Sequence, residues 1–350
     1  MTADPPSLGM RDYRLLGRTG LRISPFCLGA MTFGNTEGWG ADEAESRRIL
    51  DCYVDTGGNF VDTANVYTGG QSESMLGEFL SASSTRDRIV LATKFSLTTF
   101  PGDPNASGNG RKNIYQSLEA SLQRLRTDYI DLYWLHCWDT LTPVEEVMDT
   151  IDSLVRSGKV RYFGLSDVPA WYMAQAQTYA SLRGTPRIAA MQLEYSLLDR
   201  NIEHEHVVAA RELGAGICVW GALGGGMLTG KYKRGEKGQG RIATDARYSR
   251  QLSECNFAIV DALVDVAGEI GRSPSQVALN WITRRPEIRA TIIGATSVRQ
   301  LEDNLGALDF TIPAALDERL EQISQSAPIH LYDFFKEPFC GVLRGAQVRR

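Results

Sequence analysis

The chain has 350 residues, of which 43% are hydrophobic and 23% are charged, and its formal net charge at pH 7 is −5. This composition is typical of a globular protein with a sizeable core and argues against extended disorder. An acidic chain without long basic runs is not expected to have nucleic acid as its main partner. No stretch approaches the roughly 18 consecutive apolar residues that a membrane-spanning helix requires, so no membrane partner is expected.

Eight β-like runs alternate along the chain with segments that carry helical periodicity or helical start signals. The runs are residues 25–29, 59–62, 89–94, 129–136, 160–166, 188–193, 216–220 and 290–294. The helical segments include residues 42–55, 72–81, 112–125, 142–157, 170–182 and 203–213.

Strict alternation of strands and helices predicts right-handed crossovers and a parallel sheet, and eight such units are expected to close into a barrel. We therefore predict an α/β protein with a single (β/α)8 TIM barrel over residues 11–328. It would begin with an N-terminal hairpin and carry extra helices or loops in its C-terminal part. An open, doubly wound sheet is the alternative fold. Residues 329–350 are predicted to form a C-terminal tail that contributes to a substrate pocket.

Two helix starts carry specific signals. Thr142, Pro143 and Glu145 have the spacing of an N-cap, a proline at the first helical position and an acid in the first turn. Ser273 and Gln276 have the spacing of a capping box.

Four reactive side chains lie at or just beyond the ends of predicted strands in the first half of the chain. They are Asp62, Tyr67, Lys94 and His136. Because parallel strands bring their carboxyl ends to one face of a barrel, where catalysis takes place in such folds, we expect these four side chains to converge. Taken singly, each residue also has an ordinary structural interpretation: a turn cap, a packed ring or a lysine that reaches solvent.

The four groups suit proton transfer to a carbonyl compound. A tyrosine is a poor acid near neutral pH because its ordinary pKa is about 10, but an adjacent ammonium stabilises the phenolate. Lys94 would supply that ammonium, and Asp62 would hold Lys94 in place and keep it charged. His136 would donate a hydrogen bond to the carbonyl oxygen. The set therefore predicts a proton donor and a carbonyl-binding pocket, without a hydride source of its own.

The ends of the later strands carry groups that suit a nucleotide cofactor. Amide, hydroxyl and aromatic groups can hold a nicotinamide, and glycines with backbone N–H groups at a helix start suit phosphates. The candidates are Ser166, Asp167, Gln192, Tyr195, Trp220, Gly221, Ala222, Leu223, Gly294 and Thr296. Arg299, Gln300, Asp303 and Asn304 follow on the first turns of the last helix, where an adenosine could be held.

These motifs together resemble those of the aldo-keto reductases. The matching elements are Asp62-Thr-Ala-Asn-Val-Tyr67, Ala92-Thr-Lys-Phe95, Tyr133-Trp-Leu-His136, Gly158-Lys-Val-Arg161, Gly164-Leu-Ser-Asp167, Gln192-Leu-Glu-Tyr-Ser196 and Gly294-Ala-Thr296 with Gln300 and Asn304. They stand in the family's order from about residue 13 to 304. The resemblance is nearest to the branch that looks similar to aryl-alcohol dehydrogenases and potassium-channel β subunits.

The resemblance implies a (β/α)8 barrel, NADPH bound without a Rossmann domain, and reversible reduction of aldehydes or ketones. Carried over by position, Tyr67 would be the proton donor, Lys94 and Asp62 its modulators, and His136 the residue that orients the carbonyl. Ser166, Asp167 and Gln192 would hold the carboxamide and Tyr195 would stack on the ring. Trp220 to Leu223, Gly225, Lys231 and Arg241 would line the pyrophosphate loop, and the residues from Gly294 to Asn304 would take the adenosine end.

The sequence departs from the family pattern at two positions. Many relatives have Ser-Pro after the tryptophan, where this chain has Gly221-Ala222, which loosens the backbone and removes a hydroxyl. Asp167 stands where relatives often carry Asn, and an ionised acid can accept but cannot donate a hydrogen bond.

The substrate is expected to be a small-molecule carbonyl compound bound among aromatic side chains. Candidates for the substrate pocket are Phe33, Trp39, Phe95, Trp138 and the aromatic tail from Tyr332 to Phe339. Two other functions stay open: a slow-turnover NADPH-binding regulatory or sensor protein, and a sugar or alcohol dehydrogenase that works in the oxidative direction. The oligomeric state is left open by the sequence.

Two further patterns are expected to carry no function. Gly225 to Lys231 matches the start of a phosphate-binding P-loop, but Tyr232 replaces the hydroxyl residue that would bind magnesium. His204 and His206 are two residues apart and do not share a helix face. We therefore expect no metal. Six dispersed cysteines without metal spacing, and a first segment (MTADPPSLGM) without basic or apolar runs, predict a cytoplasmic protein with reduced thiols.

Overall fold

A computed structural model describes residues 8–35, 38–235, 242 and 246–345. The described chain begins with a short antiparallel hairpin of β1 (Arg14–Leu15) and β2 (Arg22–Ile23). Eight further strands, all parallel, form a closed barrel in the cyclic order of the chain. They are β3 (Phe26–Gly29), β4 (Phe60–Asp62), β5 (Val90–Phe95), β6 (Ile130–Leu135), β7 (Val160–Ser166), β8 (Ile188–Glu194), β9 (Gly216–Trp220) and β10 (Ile288–Ile293). The barrel and hairpin predicted from the sequence are confirmed, and the open-sheet alternative is wrong.

Helices connect the strands and cover the outside of the barrel. In chain order they are α1 (Glu43–Asp55), α2 (Gln71–Ser83), α3 (Arg111–Arg124), α4 (Val144–Arg156), α5 (Ala170–Arg183), α6 (His206–Leu213), α7 (Glu254–Ile270), α8 (Pro274–Thr283), α9 (Val298–Leu305), α10 (Ala314–Ile323), α11 (His330–Asp333) and α12 (Phe339–Arg344). Within the described residues, none of these helices is long and apolar enough to cross a membrane.

The two helix starts examined in the sequence have different outcomes. Ser273 and Gln276 form the predicted capping box at the start of α8. The predicted N-cap at Thr142 is wrong, because α4 begins at Val144 and Pro143 occupies the cap position. Thr142 instead donates its hydroxyl and its backbone N–H to Asp139, which holds the loop before the helix.

The barrel interior is filled by large apolar side chains and closed at its lower end. Leu16 and Ile23 of the hairpin pack in the same buried cluster as Phe60 and Trp134, which line the interior. The Trp134 indole lies directly over Gly164, where an added Cβ would come within 2.2 Å of the ring. The interior is therefore a packed core rather than a channel, and only the end formed by the carboxyl termini of the strands is left for a site.

We expect Gly164→Ala to destabilise the protein by about 1–3 kcal/mol, because the methyl group would force the indole of Trp134 out of place. Gly268→Ala is the matched control. Gly268 lies inside α7, and a Cβ added to it would meet no neighbouring atom within 4 Å. Its replacement should stabilise the helix by about 0.5–1 kcal/mol. Urea unfolding of both variants measures the two changes, and the same sign for both would contradict this packing.

Candidate active site

A buried ion pair lies where three strands of the barrel end. Lys94 of β5 contacts Asp62, the last residue of β4, through its Nζ and the Oδ2 of the carboxylate. The other carboxylate oxygen, Oδ1, accepts a hydrogen bond of 3.0 Å from Nε2 of Gln192 in β8. The Lys94 ammonium also donates to the carbonyl oxygen of Thr63 at 2.9 Å and to the Tyr67 hydroxyl at 3.3 Å. The pair thus connects strand ends from both sides of the barrel.

Lys94 keeps its charge despite its position. Its side chain has no exposed surface, and burial by itself would lower the pKa of the ammonium. The charge and hydrogen bond of Asp62, and the contact with Tyr67, outweigh burial and raise the pKa of Lys94 above its ordinary value. An ammonium ion is therefore held against the phenol of Tyr67 at neutral pH.

His136 completes the wall beside Tyr67. It directly follows β6, and its backbone N–H is held by the carbonyl oxygen of Phe95 at 3.1 Å. The two rings lie 5.9 Å apart, nearly perpendicular at 84°. Burial, followed by the nearby charge of Lys94, lowers the pKa of His136 to about 3, so the imidazole is neutral at physiological pH. Its Nδ1 is buried without a hydrogen-bond partner.

The turn that carries Tyr67 is anchored to the loop after β3. Thr68 adopts a left-handed backbone conformation, with φ of 51°, which is unusual for a β-branched residue. Its hydroxyl donates to the carbonyl oxygen of Phe33 at 3.0 Å, and the hydroxyl of Ser72 donates to that of Ala30 at 2.8 Å. These bonds hold the phenol at the mouth of the barrel.

The opposite wall of the mouth offers free hydrogen-bonding capacity. The hydroxyl oxygen of Ser166, at the end of β7, is buried and makes no hydrogen bond of ordinary geometry, although it lies close enough to Asp167 to lower the pKa of that carboxyl group. Gln192 donates its amide nitrogen to Asp62, which leaves its amide oxygen as an acceptor for another group. A buried polar atom without a partner requires an explanation, and a carboxamide ligand would satisfy both groups. These residues therefore fit a nicotinamide.

Asp167 and Trp220 extend this wall. The Trp220 indole N–H donates to Oδ1 of Asp167 at 3.1 Å, and the backbone of Asp167 has a φ of 45°. Asp167 is an exposed residue, although neighbouring atoms crowd its carboxyl group. This desolvation, only partly offset by the hydrogen bond from Trp220 and reinforced by the charge of Glu194, raises the pKa of Asp167 to about 7.

A glycine-rich turn follows β9. Gly224, Gly225 and Gly226 all have φ between 55° and 96°, a region that side chains disfavour. A Cβ at Gly225 would come within 2.6 Å of the Tyr248 ring. Lys231 is exposed and its ammonium lies 5.1 Å from the centre of the Tyr232 ring. The turn suits close approach of a phosphate to the backbone, whereas Arg241 lies outside the described residues.

The start of α9 is tightly organised. Both the backbone N–H and the hydroxyl of Thr296 donate to the side-chain oxygen of Gln300 at 2.9 Å, and the Asn304 amide donates to the carbonyl oxygen of Gly294 at 3.3 Å. Arg299 is exposed beside them. Asp303 is turned toward α8, where it accepts from Ser273 at 3.2 Å and from Gln276 at 3.1 Å.

One residue of this region was missed in the sequence. Glu45 of α1 accepts a hydrogen bond of 2.8 Å from the backbone N–H of Val298, at the first turn of α9. The sequence shows only that Glu45 is an acid in the first turn of α1. No local pattern predicts its contact with Val298, which is distant in the sequence. A carboxylate therefore already occupies part of the helix start that was predicted to receive the adenosine end of a cofactor.

Three of the predicted ligand-binding side chains are buried in the structure. Tyr195 is only 3% exposed, donates its hydroxyl to Glu203 at 2.6 Å and packs its ring against Trp281. Phe33 and Phe95 are fully buried in the larger hydrophobic cluster.

The remaining aromatic candidates keep part of their surface open. Trp39 and Trp138 are partly exposed. In the tail, Tyr332 stacks on His204 at 5.4 Å and donates its hydroxyl to Glu205 at 2.6 Å, which places α11 beside the start of α6. Phe339 begins α12 and is exposed.

The mouth brings together a charged lysine, the phenol to which that lysine donates a hydrogen bond, and a neutral imidazole whose ring lies against the phenol. Such a cluster can donate a proton to a carbonyl oxygen and stabilise the charge that remains. None of these side chains can supply a hydride, so the reduction of a carbonyl compound here requires a bound hydride carrier.

Comparison with known proteins finds relatives that match most of the chain. Residues 25–325 match the model of the aldo/keto reductase family. An uncharacterized oxidoreductase, YrpG, of Bacillus subtilis (strain 168) is 37% identical over 322 residues, which cover 89% of this chain and 95% of that protein. The norsolorinic acid reductase of Aspergillus flavus is 34% identical, covering 93% and 83%. An NADP(+) aryl-alcohol dehydrogenase of Phanerodontia chrysosporium is 33% identical, covering 93% and 88%.

The chain therefore belongs to the aldo/keto reductase family, a family of oxidoreductases that use nicotinamide cofactors. The family resemblance inferred from the sequence motifs is confirmed.

We expect the fluorescence of Trp220 to report the ionisation of Asp167, because the indole N–H donates directly to its carboxyl group. In a pH titration of the ligand-free protein from pH 5 to 9, the wild type should show a transition near pH 7. Asp167→Asn should lack it. Identical curves for the two proteins would contradict the raised pKa of Asp167.

His136 should make stability pH-dependent. The unfolded imidazole has a pKa of about 6.5, and the folded one a pKa of about 3, so in this interval the unfolded state binds the extra proton. Stability should therefore fall as the pH drops from about 6.5, by up to about 1.4 kcal/mol per pH unit from this residue.

His136→Gln should lose that contribution in urea unfolding at pH 7.5, 6 and 5. His330→Gln is the control, because His330 lies on α11 with its side chain 89% exposed, and it should follow the wild type. Parallel curves for wild type and His136→Gln would contradict a lowered pKa of His136 in the folded protein.

Proposed function

We propose that this protein is an NADPH-dependent reductase of aldehydes and ketones, with aryl carbonyl compounds as its main substrate class. The observation that carries the proposal is the buried chain from Asp62 through Lys94 to the hydroxyl of Tyr67, beside a neutral His136. This cluster is built to transfer a proton to a carbonyl oxygen. The partly exposed indole of Trp138 and the aryl-alcohol dehydrogenase among the relatives support an aromatic substrate.

The mouth has residues suited to a nicotinamide dinucleotide. A bound nicotinamide supplies the hydride that the carbonyl carbon receives. Ser166, Gln192 and a protonated Asp167 would hold its carboxamide. The indole of Trp220, rather than the ring of Tyr195, would stack on the nicotinamide ring. Gly221, Ala222, Leu223, Gly225 and Lys231 would surround the pyrophosphate. The exposed cations Lys231 and Arg299 favour the additional phosphate of NADPH, as does the NADP(+) in the name of one relative.

The protein's own groups carry the proton chemistry. The carbonyl oxygen of the substrate is bound between the hydroxyl of Tyr67 and the neutral imidazole of His136, which both donate hydrogen bonds to it. As the carbonyl carbon is reduced, negative charge grows on this oxygen, and Tyr67 donates its proton to it. The ammonium of Lys94 stabilises the resulting phenolate, and Asp62 holds that ammonium in position. The alcohol then leaves and Tyr67 is reprotonated from solvent.

Two alternatives use the same residues. The relatives named as dehydrogenases favour the reverse reaction, in which the phenolate of Tyr67 accepts the proton of an alcohol. Rates in both directions at several pH values would distinguish the two. A regulatory protein that binds NADPH and turns over slowly is the other alternative, and it predicts tight binding with feeble reduction of reactive aldehydes.

Tyr67→Phe should lower the turnover of 4-nitrobenzaldehyde by about 100-fold to 10,000-fold, because the variant lacks the proton donor. NADPH affinity, followed by quenching of protein fluorescence, should stay within about twofold. Tyr115→Phe is the matched control, since Tyr115 lies on the surface of α3 and is 38% exposed. It should behave like the wild type.

Retention of turnover in Tyr67→Phe would exclude Tyr67 as the acid. If the wild type binds NADPH but does not reduce the aldehyde, the regulatory alternative is favoured. If it binds no NADPH, the cofactor assignment is wrong.

A further inference from the structure

A second buried carboxylate joins α2 to the barrel, and the proposed reaction does not use it. Glu73 is the third residue of α2 and has no exposed surface. Its Oε1 accepts a hydrogen bond of 2.5 Å from the hydroxyl of Thr93 in β5. Its Oε2 accepts one of 2.7 Å from Nε of Arg124, the last residue of α3. A buried carboxylate is harder to dehydrate than an apolar side chain of the same size, so its presence requires an explanation.

Thr93 directly precedes Lys94 in β5. Successive side chains of a strand point to opposite faces, so Thr93 points toward α2 whereas Lys94 points to the buried ion pair. The bond from Thr93 to Glu73 therefore fixes the start of α2 relative to the strand residue that carries the ammonium.

The preceding residue of α2 holds the other side of the ion pair. The hydroxyl of Ser72 donates to the carbonyl oxygen of Ala30 at 2.8 Å, so the hydroxyl of Thr63, 2.8 Å away, donates to Ser72. Thr63 also supplies the carbonyl oxygen that accepts the Lys94 ammonium at 2.9 Å. Thr63 and Thr93, which adjoin the two charged residues in the chain, are thus both hydrogen-bonded to the first turn of α2.

Tyr67 begins a turn that leads directly into α2. The backbone of this turn is left-handed at Thr68, with φ of 51°, and at Gly70, with φ of 91°. This conformation is costly for a β-branched residue and persists only where neighbouring contacts hold it. Arg124, the partner of Glu73, supplies one of these contacts, because a Cβ on Gly70 would come within 2.9 Å of its Cδ. The position of the phenol therefore depends on how the start of α2 is anchored.

The contact between phenol and ammonium has little margin. The hydroxyl of Tyr67 and Nζ of Lys94 are 3.3 Å apart, slightly beyond the usual range for an N–H···O hydrogen bond. A further displacement of the turn would break this contact. Misplacement of a reacting group by about 1 Å can lower a rate about 100-fold.

We propose that Thr93 and Glu73 are positioning residues for the proton donor. Their hydrogen bond sets the distance between the Tyr67 phenol and the Lys94 ammonium. It thereby determines how strongly the ammonium stabilises the phenolate. The inference rests on the proposed reductase function and adds two residues that act through others. The hydrogen bond carries the effect rather than the charge of Glu73, because Arg124 pairs with that charge.

Thr93→Val removes the hydroxyl and keeps the shape of the side chain. Its kcat for 4-nitrobenzaldehyde should fall about 10-fold to 100-fold, while KM and the affinity for NADPH stay within about threefold. Thr93→Ser keeps the hydroxyl and should retain most of the turnover. Thr150→Val is the matched control, since Thr150 is also fully buried but donates its hydroxyl to the carbonyl oxygen of Glu146 within α4. It should behave like the wild type.

Glu73→Gln removes the charge and keeps an oxygen that can accept from Thr93, so it should lose less turnover than Thr93→Val. The reverse order would assign the effect to the charge and overturn the proposal. An equal loss in Thr93→Val and Thr150→Val would overturn it too. Urea unfolding shows whether each variant is folded under the assay conditions. A Thr93→Val protein that unfolds at lower urea but keeps its kcat would have lost a structural bond alone, against the proposal.

A measurement without turnover separates this inference from the reductase function. NMR of protein with isotope-labelled tyrosine follows the ionisation of the phenols, and Tyr67→Phe identifies the Tyr67 signal. In Thr93→Val the pKa of the Tyr67 phenol should rise by about 1, because the ammonium is farther from the phenolate. Thr93→Ser should restore it, and an unchanged titration in Thr93→Val would overturn the positioning role. If the wild type reduces no aldehyde, the reductase proposal fails, and this titration alone decides the inference.

Discussion

A charged lysine inside a barrel must be paired, and this requirement organises the mouth of the protein. The side chains of Lys94 and Asp62 are 0% and 3% exposed, and an unpaired charge at such a depth costs several kcal/mol. Asp62 is satisfied on one oxygen by Lys94 and on the other by Gln192. The strand ends of β4, β5 and β8 are thereby held within hydrogen-bonding distance. A buried ion pair seldom stabilises a fold more than apolar packing would. We therefore attribute the presence of a lysine ammonium beside Tyr67 to proton transfer rather than to stability.

Burial at the mouth also shifts the pKa values of His136 and Asp167, in opposite directions. Burial and the charge of Lys94 keep His136 neutral, so it can donate a hydrogen bond without attracting a counter-ion. Desolvation brings the pKa of Asp167 to about 7 on the opposite wall. Titratable groups whose environments move their pKa values apart are a mark of acid and base roles. The packed interior below, with Trp134 over Gly164, leaves the mouth as the place where these groups meet a ligand.

The sequence predicted the barrel because strand and helix signals alternate eight times, and it predicted the cluster of Asp62, Tyr67, Lys94 and His136 because strand ends share one face. Three of the predicted binding residues, Phe33, Phe95 and Tyr195, have buried side chains that the strand-end argument did not anticipate. Successive residues of a strand point to opposite faces, so an inward Lys94 implies an outward Phe95, a signal that was present but unused. Tyr195, just beyond β8, is only 3% exposed and donates its hydroxyl to Glu203. The contact of Glu45 with α9, and the capture of Thr142 by Asp139, depend on tertiary contacts that no local pattern contains.

If the Asp62 and Lys94 pair serves the reaction rather than stability, a double-mutant cycle will separate the two roles. Asp62→Leu, Lys94→Met and the combined variant are compared with the wild type by free energy of unfolding and by kcat/KM for an aryl aldehyde. Each single change should cost about 3–5 kcal/mol, because it leaves a buried charge unpaired. The double variant should recover most of that stability while its turnover stays at the level of the single variants. A double variant that recovers its turnover would contradict a role of the pair in the reaction.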